Sequence, residues 1–342
     1  MPSTTPASGA PESAAPVAFY AVADRRHFVG AVALLNSLRL VGHEEPLFLV
    51  DAGLTADQRD RLAPHVTLLP APAGMPPVYM APLGPTARPA DVEIVIDADI
   101  IAVRRLDELI DSARGGRVVG FVNDPPNDLR YFAQWGELLG AGEAPPRRPY
   151  LNAGLFVFPR AVADRLLPRW LELQEAIDYG RTRYGNAELD DPFYFADQDV
   201  VNALFSVSLA DDAIDVREHR LAPHVPLTGV RILDRDQLVC EHADGLRPFV
   251  LHHTLTKPWL APTVPNAYSR LLPRLLLAPD VRVRLRPEEL PLRLREGRAA
   301  AAASRVTGAA VATRRRARRQ LGRFGIRTRF AALRARRAGR ER

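Results

Sequence analysis

Val92-Glu93-Ile94-Val95-Ile96-Asp97-Ala98-Asp99 is an apolar run that ends on two carboxylates one residue apart. Its β-branched residues suit a buried strand. Side chains alternate along a strand, so Asp97 and Asp99 point to one face and can share a divalent ion. The carboxyl end of an apolar strand is also where open α/β sheets bind ligands. Oxygen ligands favour Mg²⁺ or Mn²⁺, and either ion also takes phosphate oxygens.

Working outward, residues 17–23 (VAFYAVA) and 46–51 (PLFLVD) read as strands, and residues 66–69 as a third. Between them, Phe28, Val32, Leu35 and Leu38 form a helical stripe over residues 27–40, and Thr55 caps a short helix. Strands alternating with helices imply parallel pairing, hence an α/β fold. Residues 70–89 hold seven prolines and read as a loop or irregular crossing. Downstream, helices are expected over 106–113, 128–139, 161–179 and 198–205. Strands are expected over 117–122, 150–158 (YLNAGLFVF) and 248–252.

Composition narrows the function. The chain of 342 residues is 47% hydrophobic and 25% charged, enough for an ordinary core. The one cysteine, Cys240, rules out an internal disulfide and a cysteine-built metal site, which fits a reducing cytoplasm. Residues 1–16 lack the basic start and apolar stretch of a signal peptide and read as a disordered leader. No run approaches the ~20 apolar residues of a membrane span. The net charge of +6 is split. From Val281 onward 20 arginines face 4 acids, so the tail carries +16 and the remainder −10. A basic charge confined to a tail argues against a nucleic-acid partner for the body. Lys257 is the only lysine among 46 basic residues. A site that needs a compact ammonium is one reason to retain it; chance survival is the other.

Four segments in order carry a resemblance. IVIDADI (94–100) looks like the D-x-D strand of the GT-A glycosyltransferases, and the chain is similar to the retaining, glycogenin-like and lipopolysaccharide galactosyltransferase-like group, family 8. Leu151-Asn152-Ala153-Gly154 resembles the sugar-binding L-N-A-G strand of that group. Asp197-Gln198-Asp199 with Asn202 resembles its D-Q-D-x-x-N segment, and HHTLTKPW (252–259) its closing H-x-x-G-x-x-K-P-W. The likeness covers residues 17–259.

The resemblance implies a GT-A, Rossmann-like, mixed but mainly parallel sheet flanked by helices. It also implies a metal-dependent transfer from a nucleoside-diphosphate sugar, with UDP the expected nucleotide and Mn²⁺ or Mg²⁺ the cofactor. Asp97 and Asp99, with Ala98 between them, would hold the metal on the diphosphate, and His252 would complete the ligands. Lys257 would meet the departing phosphate. Asn152, Ala153, Gly154 and Asp197 would face the donor sugar, with Gln198 near its anomeric carbon. The strand end at Ala23 and Asp24, with His27 or Phe28, would receive the base. Two features depart from the family. His252 and Lys257 are five apart instead of six, with Leu255 near the expected glycine, which leaves His253 as an alternative ligand. The crossing at 70–89 offers only Arg88 where relatives carry a basic helix.

Plainer roles compete with these. Asp197 and Asp199 are also suited to capping a helix. Pro258-Trp259 is also a turn with an anchoring aromatic, and Tyr131, Phe132 and Trp135 are spaced to bury a helix face. A nucleotidyltransferase would carry a Gly- and basic-rich loop after the first strand, and Ala23–His27 is not one. A nucleotide-sugar-binding protein with a decayed site is the non-enzymatic alternative. The expected organisation is a leader (1–16), the GT-A domain (17–262), a helical extension (263–303) and an Arg/Ala-rich tail (304–342). Glycines interrupt that tail, and Leu321 with Phe324 and Phe330 with Leu333 leave fragments of an apolar stripe. It reads as solvated and partly helical, with contact to an anionic membrane surface as the sharper alternative. The acceptor, a saccharide, lipid or protein, is not specified.

Overall fold

The computed structural model describes residues 15–124 and 129–323. The first half of the chain runs β1 (Ala15–Ala23), α1 (Phe28–Leu40), β2 (Leu47–Asp51), α2 (Ala56–Leu62), β3 (Thr67–Pro70), α3 (Leu83–Ala87), β4 (Ala90–Ile96), β5 (Ile100–Ala102), α4 (Asp107–Arg114) and β6 (Val118–Val122). There follow α5 (Gln134–Leu138), β7 (Leu151–Pro159), α6 (Arg160–Ala176), α7 (Asp197–Ser208), β8 (Ile214–Arg217), β9 (Arg231–Asp234), β10 (Val239–Glu241), β11 (Val250–His252), α8 (Ala267–Leu277) and α9 (Arg298–Arg323).

Seven strands make one sheet in the order β3-β2-β1-β4-β7-β6-β8. Strands β3, β2, β1 and β4 are parallel, and β7 alone runs antiparallel to both of its neighbours. Strand β8 closes the sheet parallel to β6. The expected α/β fold with a mixed, mainly parallel sheet is therefore present. The chain turns outward in opposite directions from β1 and β4, and that divergence opens a crevice at their carboxyl ends.

Helices cover both faces. Val92, Ile94 and Ile96 pack with residues of α1, α4 and α8, while Val95 packs on the opposite face with residues of α6 and α7. The stripe of Phe28, Val32, Leu35 and Leu38 is buried as its spacing predicts. Asn36 of α1, fully buried, ties the C-terminal extension to the body. Its Nδ2 donates to the carbonyls of Leu275 and Val283, and its Oδ1 accepts from Val283 N. Thr55 caps α2 in a reciprocal capping box with Gln58.

Several expectations need correction. The proline-rich crossing contains a 3-10 turn at Pro77–Tyr79 and the short helix α3, because proline is tolerated in a first turn, where its missing N–H has no partner to lose. The helix expected over 128–139 is only Gln134–Leu138; residue 128 lies outside the described residues. Ala15 and Pro16, assigned to the leader, belong to β1, where Ala15 pairs with Ala90. The rest of that leader falls outside the described residues.

The division at residue 304 falls inside α9, which runs through Gly308. That glycine is a packing position: a Cβ there would lie 2.6 Å from Pro265 Cδ. The Phe324, Phe330 and Leu333 stripe lies outside the described residues. Among the described residues, no helix is long and apolar enough to cross a membrane.

Candidate active site

Three strand ends meet at the crevice. Strand β4 ends at Ile96 and delivers Asp97, whose N–H donates to the Gly154 carbonyl at 2.8 Å. Because β7 is antiparallel to β4, its first residues, Leu151 to Gly154, lie at that same edge. A two-stranded sheet of β5 and β11 then places His252 opposite Ile100, one residue after Asp99. This arrangement turns three motifs scattered over 156 positions into neighbours.

The ligand atoms of Asp97, Asp99 and His252 lie within 4.8 Å of one another. His252 Nε2 stands 3.3 Å from Asp97 Oδ2 and 3.2 Å from Asp99 Oδ1. Lys257 Nζ pairs with the other oxygen of Asp99 and donates to the His253 carbonyl at 2.9 Å. Burial opposes the charge of Asp99, but Lys257 and His252 outweigh it and hold its carboxyl well below the ordinary range. Burial likewise disfavours the His252 imidazolium, yet the two carboxylates push it up to about 9. Two carboxylates and an imidazole converging on one point are a donor set suited to Mn²⁺, and to Mg²⁺ less well. The group fits the ion.

His253 is not part of it. Its ring tilts against Tyr268 at 5.1 Å, Nε2 faces Asn266, and Nδ1 has no hydrogen-bond partner among the described residues. Burial and the Lys257 charge lower it to about 4. Leu255 explains how the altered loop still closes: it adopts φ +62°, the left-handed conformation that a glycine takes without strain. Trp259 anchors the end of that loop, buried, with Nε1 donating to the Arg26 carbonyl at 2.7 Å. Gly30 of α1 makes room for it; a Cβ there would lie 2.4 Å from the Ala98 carbonyl oxygen and 2.9 Å from the indole.

Gln198 and Asp197 open α7 on the facing wall. Gln198 Oε1 accepts from Asn152 Nδ2 (3.2 Å) and Ala153 N (3.1 Å), and Asn152 Oδ1 accepts from Gly154 N (3.0 Å). Burial and the neighbouring Asp97 raise the Asp197 carboxyl well above its usual range. The residue before it, Ala196, has φ +53° and ψ −118°, a strained conformation for a side chain and fully buried.

The second half of the D-Q-D-x-x-N segment is structural. Asp199 is buried and takes a two-pronged contact from Arg130 (Nε 2.6 Å, Nη2 2.9 Å), the Tyr150 hydroxyl (2.7 Å) and Phe195 N (2.6 Å). Asn202 straddles β7, with Oδ1 accepting from Leu151 N and Nδ2 donating to Leu151 O. Neither Asp197 nor Asp199 is the N-cap, which is Ala196. Nothing in the sequence joins Arg130 to Asp199, 69 residues away.

Around these residues lies a cleft of about 460 Å³. Asp24, Asp97, Ala98, Asp99, Asn152, Ala153, Gly154, Asp197, Gln198, His252 and Lys257 all line it. Three expected donor contacts do not. Phe28 is buried beneath Arg61, whose Cζ sits 5.3 Å from its ring. Ala23 is buried too and gives its carbonyl to Ala52 N. Arg88 is exposed at the far end of α3, its carbonyl accepting from the Tyr20 hydroxyl. Asp24 and His27, joined at 2.8 Å, both line the cleft. Of the three aromatics spaced to bury a helix face, Trp135 is core, packed on Tyr150 and Ala203, with Tyr131 and Phe132 against it. Pro77, Val78, Arg183 and Tyr184, which the sequence did not single out, also line the cleft.

No family model matches the chain, and no curated protein matches it. Solved structures do. The galactosyltransferase LgtC in complex with donor and acceptor sugar analogues matches with a TM-score of 0.50 at 16% identity, over 77% of this chain and 98% of that one. GlyE of Streptococcus pneumoniae matches at 0.48 and 15% identity, over 78% of this chain and 61% of its own. The apo bifunctional WbbM matches at 0.46 and 16%, over 72% and 47%. The likeness to LgtC gives this chain the fold of a GT-A glycosyltransferase.

Proposed function

We propose that this chain transfers a sugar from a nucleoside-diphosphate sugar to a hydroxyl of an acceptor, with retention, using Mn²⁺ or Mg²⁺ held by Asp97, Asp99 and His252. The observation that carries this reading is the convergence of that triad with the chain's only lysine at the sheet's switch point. LgtC, of like fold, has been captured with donor and acceptor sugar analogues. When bound, the ion would stabilise the charge that grows on the diphosphate.

Lys257 holds the departing phosphate with a second positive charge and needs to supply no proton. Asn152 and Asp197 orient the donor ring, and Gln198, fixed by Asn152 and Ala153, lies beside its anomeric carbon. The bond from that carbon to the diphosphate oxygen breaks as the acceptor oxygen bonds on the same face. The acceptor proton leaves to the diphosphate. Asp24 and His27 receive the nucleotide end, with UDP the expected donor nucleotide. The basic α9 and the arginines after it suit peripheral contact with an anionic membrane surface, as at the cytoplasmic face.

The test is nucleotide release from UDP-, GDP- and ADP-sugars with Mn²⁺ or with EDTA. Metal-dependent release from one donor, abolished in a folded Asp99→Ala variant, is the expected result. Full activity in Asp99→Ala sinks the assignment. Donor binding with neither hydrolysis nor transfer favours a binding protein instead.

A further inference from the structure

The cleft holds a second cation that the transfer chemistry does not use. Arg183 lines it beside Tyr184 and Phe195, with Cζ 5.6 Å from each ring. Its backbone N–H donates to the Tyr194 carbonyl at 2.7 Å, which fixes the chain at this point. Among the described residues its guanidinium makes no hydrogen bond or ion pair; it rests on the two aromatic faces, near enough to Asp197 for the opposite charges to be felt. Lys257, by contrast, is already engaged with Asp99.

Tyr184 is held equally firmly. It stacks flat on Tyr179 at 5.4 Å, and Tyr179 meets Tyr79 edge-on at 5.8 Å, so the loop leans on the proline-rich crossing. The exposed Tyr184 ring and the five N–H donors of Arg183 both line the cleft, beside the segment that leads into α7.

Four carboxylates line the same cleft: Asp24, Asp97, Asp99 and Asp197. An anion enters such a place only where a cation receives it. The metal triad and Lys257 serve the diphosphate, and Asp197 with Gln198 serve the donor sugar. Arg183 lines the same cleft and has none of those roles.

We propose that Arg183 and Tyr184 form an acceptor subsite for a sugar that bears an anionic group, a carboxylate or a phosphate. The sugar ring stacks on Tyr184, and the guanidinium takes the anion through two parallel N–H···O bonds. This rests on the glycosyltransferase reading of the cleft.

The experiment uses the full chain loaded with UDP and Mn²⁺. Calorimetry first measures UDP binding, and its absence overturns the glycosyltransferase reading and the subsite with it. With UDP bound, saturation-transfer NMR titrations compare methyl glucuronoside, glucose 6-phosphate and methyl glucoside. An anionic sugar is expected to bind about tenfold tighter than the neutral one. Whichever of the two wins identifies carboxylate or phosphate. Arg183→Gln is expected to erase the preference, and Tyr184→Ala to weaken all three sugars, while UDP affinity stays. Equal binding of charged and neutral sugars, no sugar binding at all, or a preference that survives Arg183→Gln overturns the subsite and leaves the donor site standing.

Discussion

Gly154→Ala tests the geometry of the metal triad with a single methyl group. A Cβ built on Gly154 lies 2.2 Å from His252 Cε1, 2.6 Å from its Nδ1 and 3.0 Å from Asn152 Oδ1. Carbon atoms rest about 3.5–4.0 Å apart, so the imidazole has to retreat by more than 1 Å. Metal ligands keep their distances to about 0.2 Å, so a ring displaced that far leaves the coordination sphere. Disturbing even a group behind a ligand costs about 10–100-fold in affinity, which sets the least loss expected for Mn²⁺. Overpacking destabilises by about 1–3 kcal/mol, within what a folded domain of this size tolerates. Gly154 is not at positive φ, so alanine adds no backbone penalty and the clash acts alone. Mn²⁺ binding in the presence of UDP, followed by calorimetry beside circular dichroism, reads both effects. A folded Gly154→Ala protein with wild-type Mn²⁺ affinity refutes the placement of His252 in the triad.

Glu93 is buried, with Oε1 accepting from Ala90 N and Oε2 without a partner among the described residues. Burial raises its carboxyl from 4.5 to about 7, so its contribution is intact below about pH 4.5 and lost as pH rises through 7. The loss reaches about 3 kcal/mol at pH 8; denaturant titrations should show Glu93→Gln removing that slope, and parallel slopes for the two proteins contradict it. Arg130→Met leaves the buried Asp199 carboxylate short of its cation and should cost about 3–5 kcal/mol; a loss below 1 kcal/mol in thermal unfolding denies the clamp. Ala196→Gly relieves a conformation that costs about 1–3 kcal/mol, against about 1 kcal/mol for the freer unfolded glycine. The net is a gain of about 1 kcal/mol by denaturant unfolding, and a clear loss of stability contradicts the strain.

The sequence showed the parts of this cleft better than their assembly. The β4 strand announced itself through an unbroken apolar run that two carboxylates end. Nothing in residues 150–158 told that β7 runs against its neighbours, since a strand buried on both faces reads alike in either direction. That reversal is what sets Asn152 and Gly154 beside Asp97. His252 and His253 could not be separated by spacing, because the choice is made by the register of β11 on β5. Asp199 and Asn202, quoted in the sequence only as members of the D-Q-D-x-x-N segment, fix α7 on β7 and the residue before it, through the Tyr150 hydroxyl and the backbone of Leu151. Composition placed the boundary of the tail at 304, yet Gly308 packs against Pro265 in a continuous helix. A glycine marks a break only where the chain needs its freedom, and here a neighbour needs its small size.

The lone lysine also gives the molecule one chemical address. Apart from the amino terminus, Lys257 carries the chain's only primary amine, and it sits in the cleft, ion-paired with Asp99 and mostly sheltered. Amine-directed reagents that would decorate most proteins in many places have one side chain to find here. Isotopically labelled methyl groups introduced by reductive alkylation leave one side-chain signal, that of Lys257, beside the signal of the amino terminus, and the Lys257 signal follows what enters the cleft.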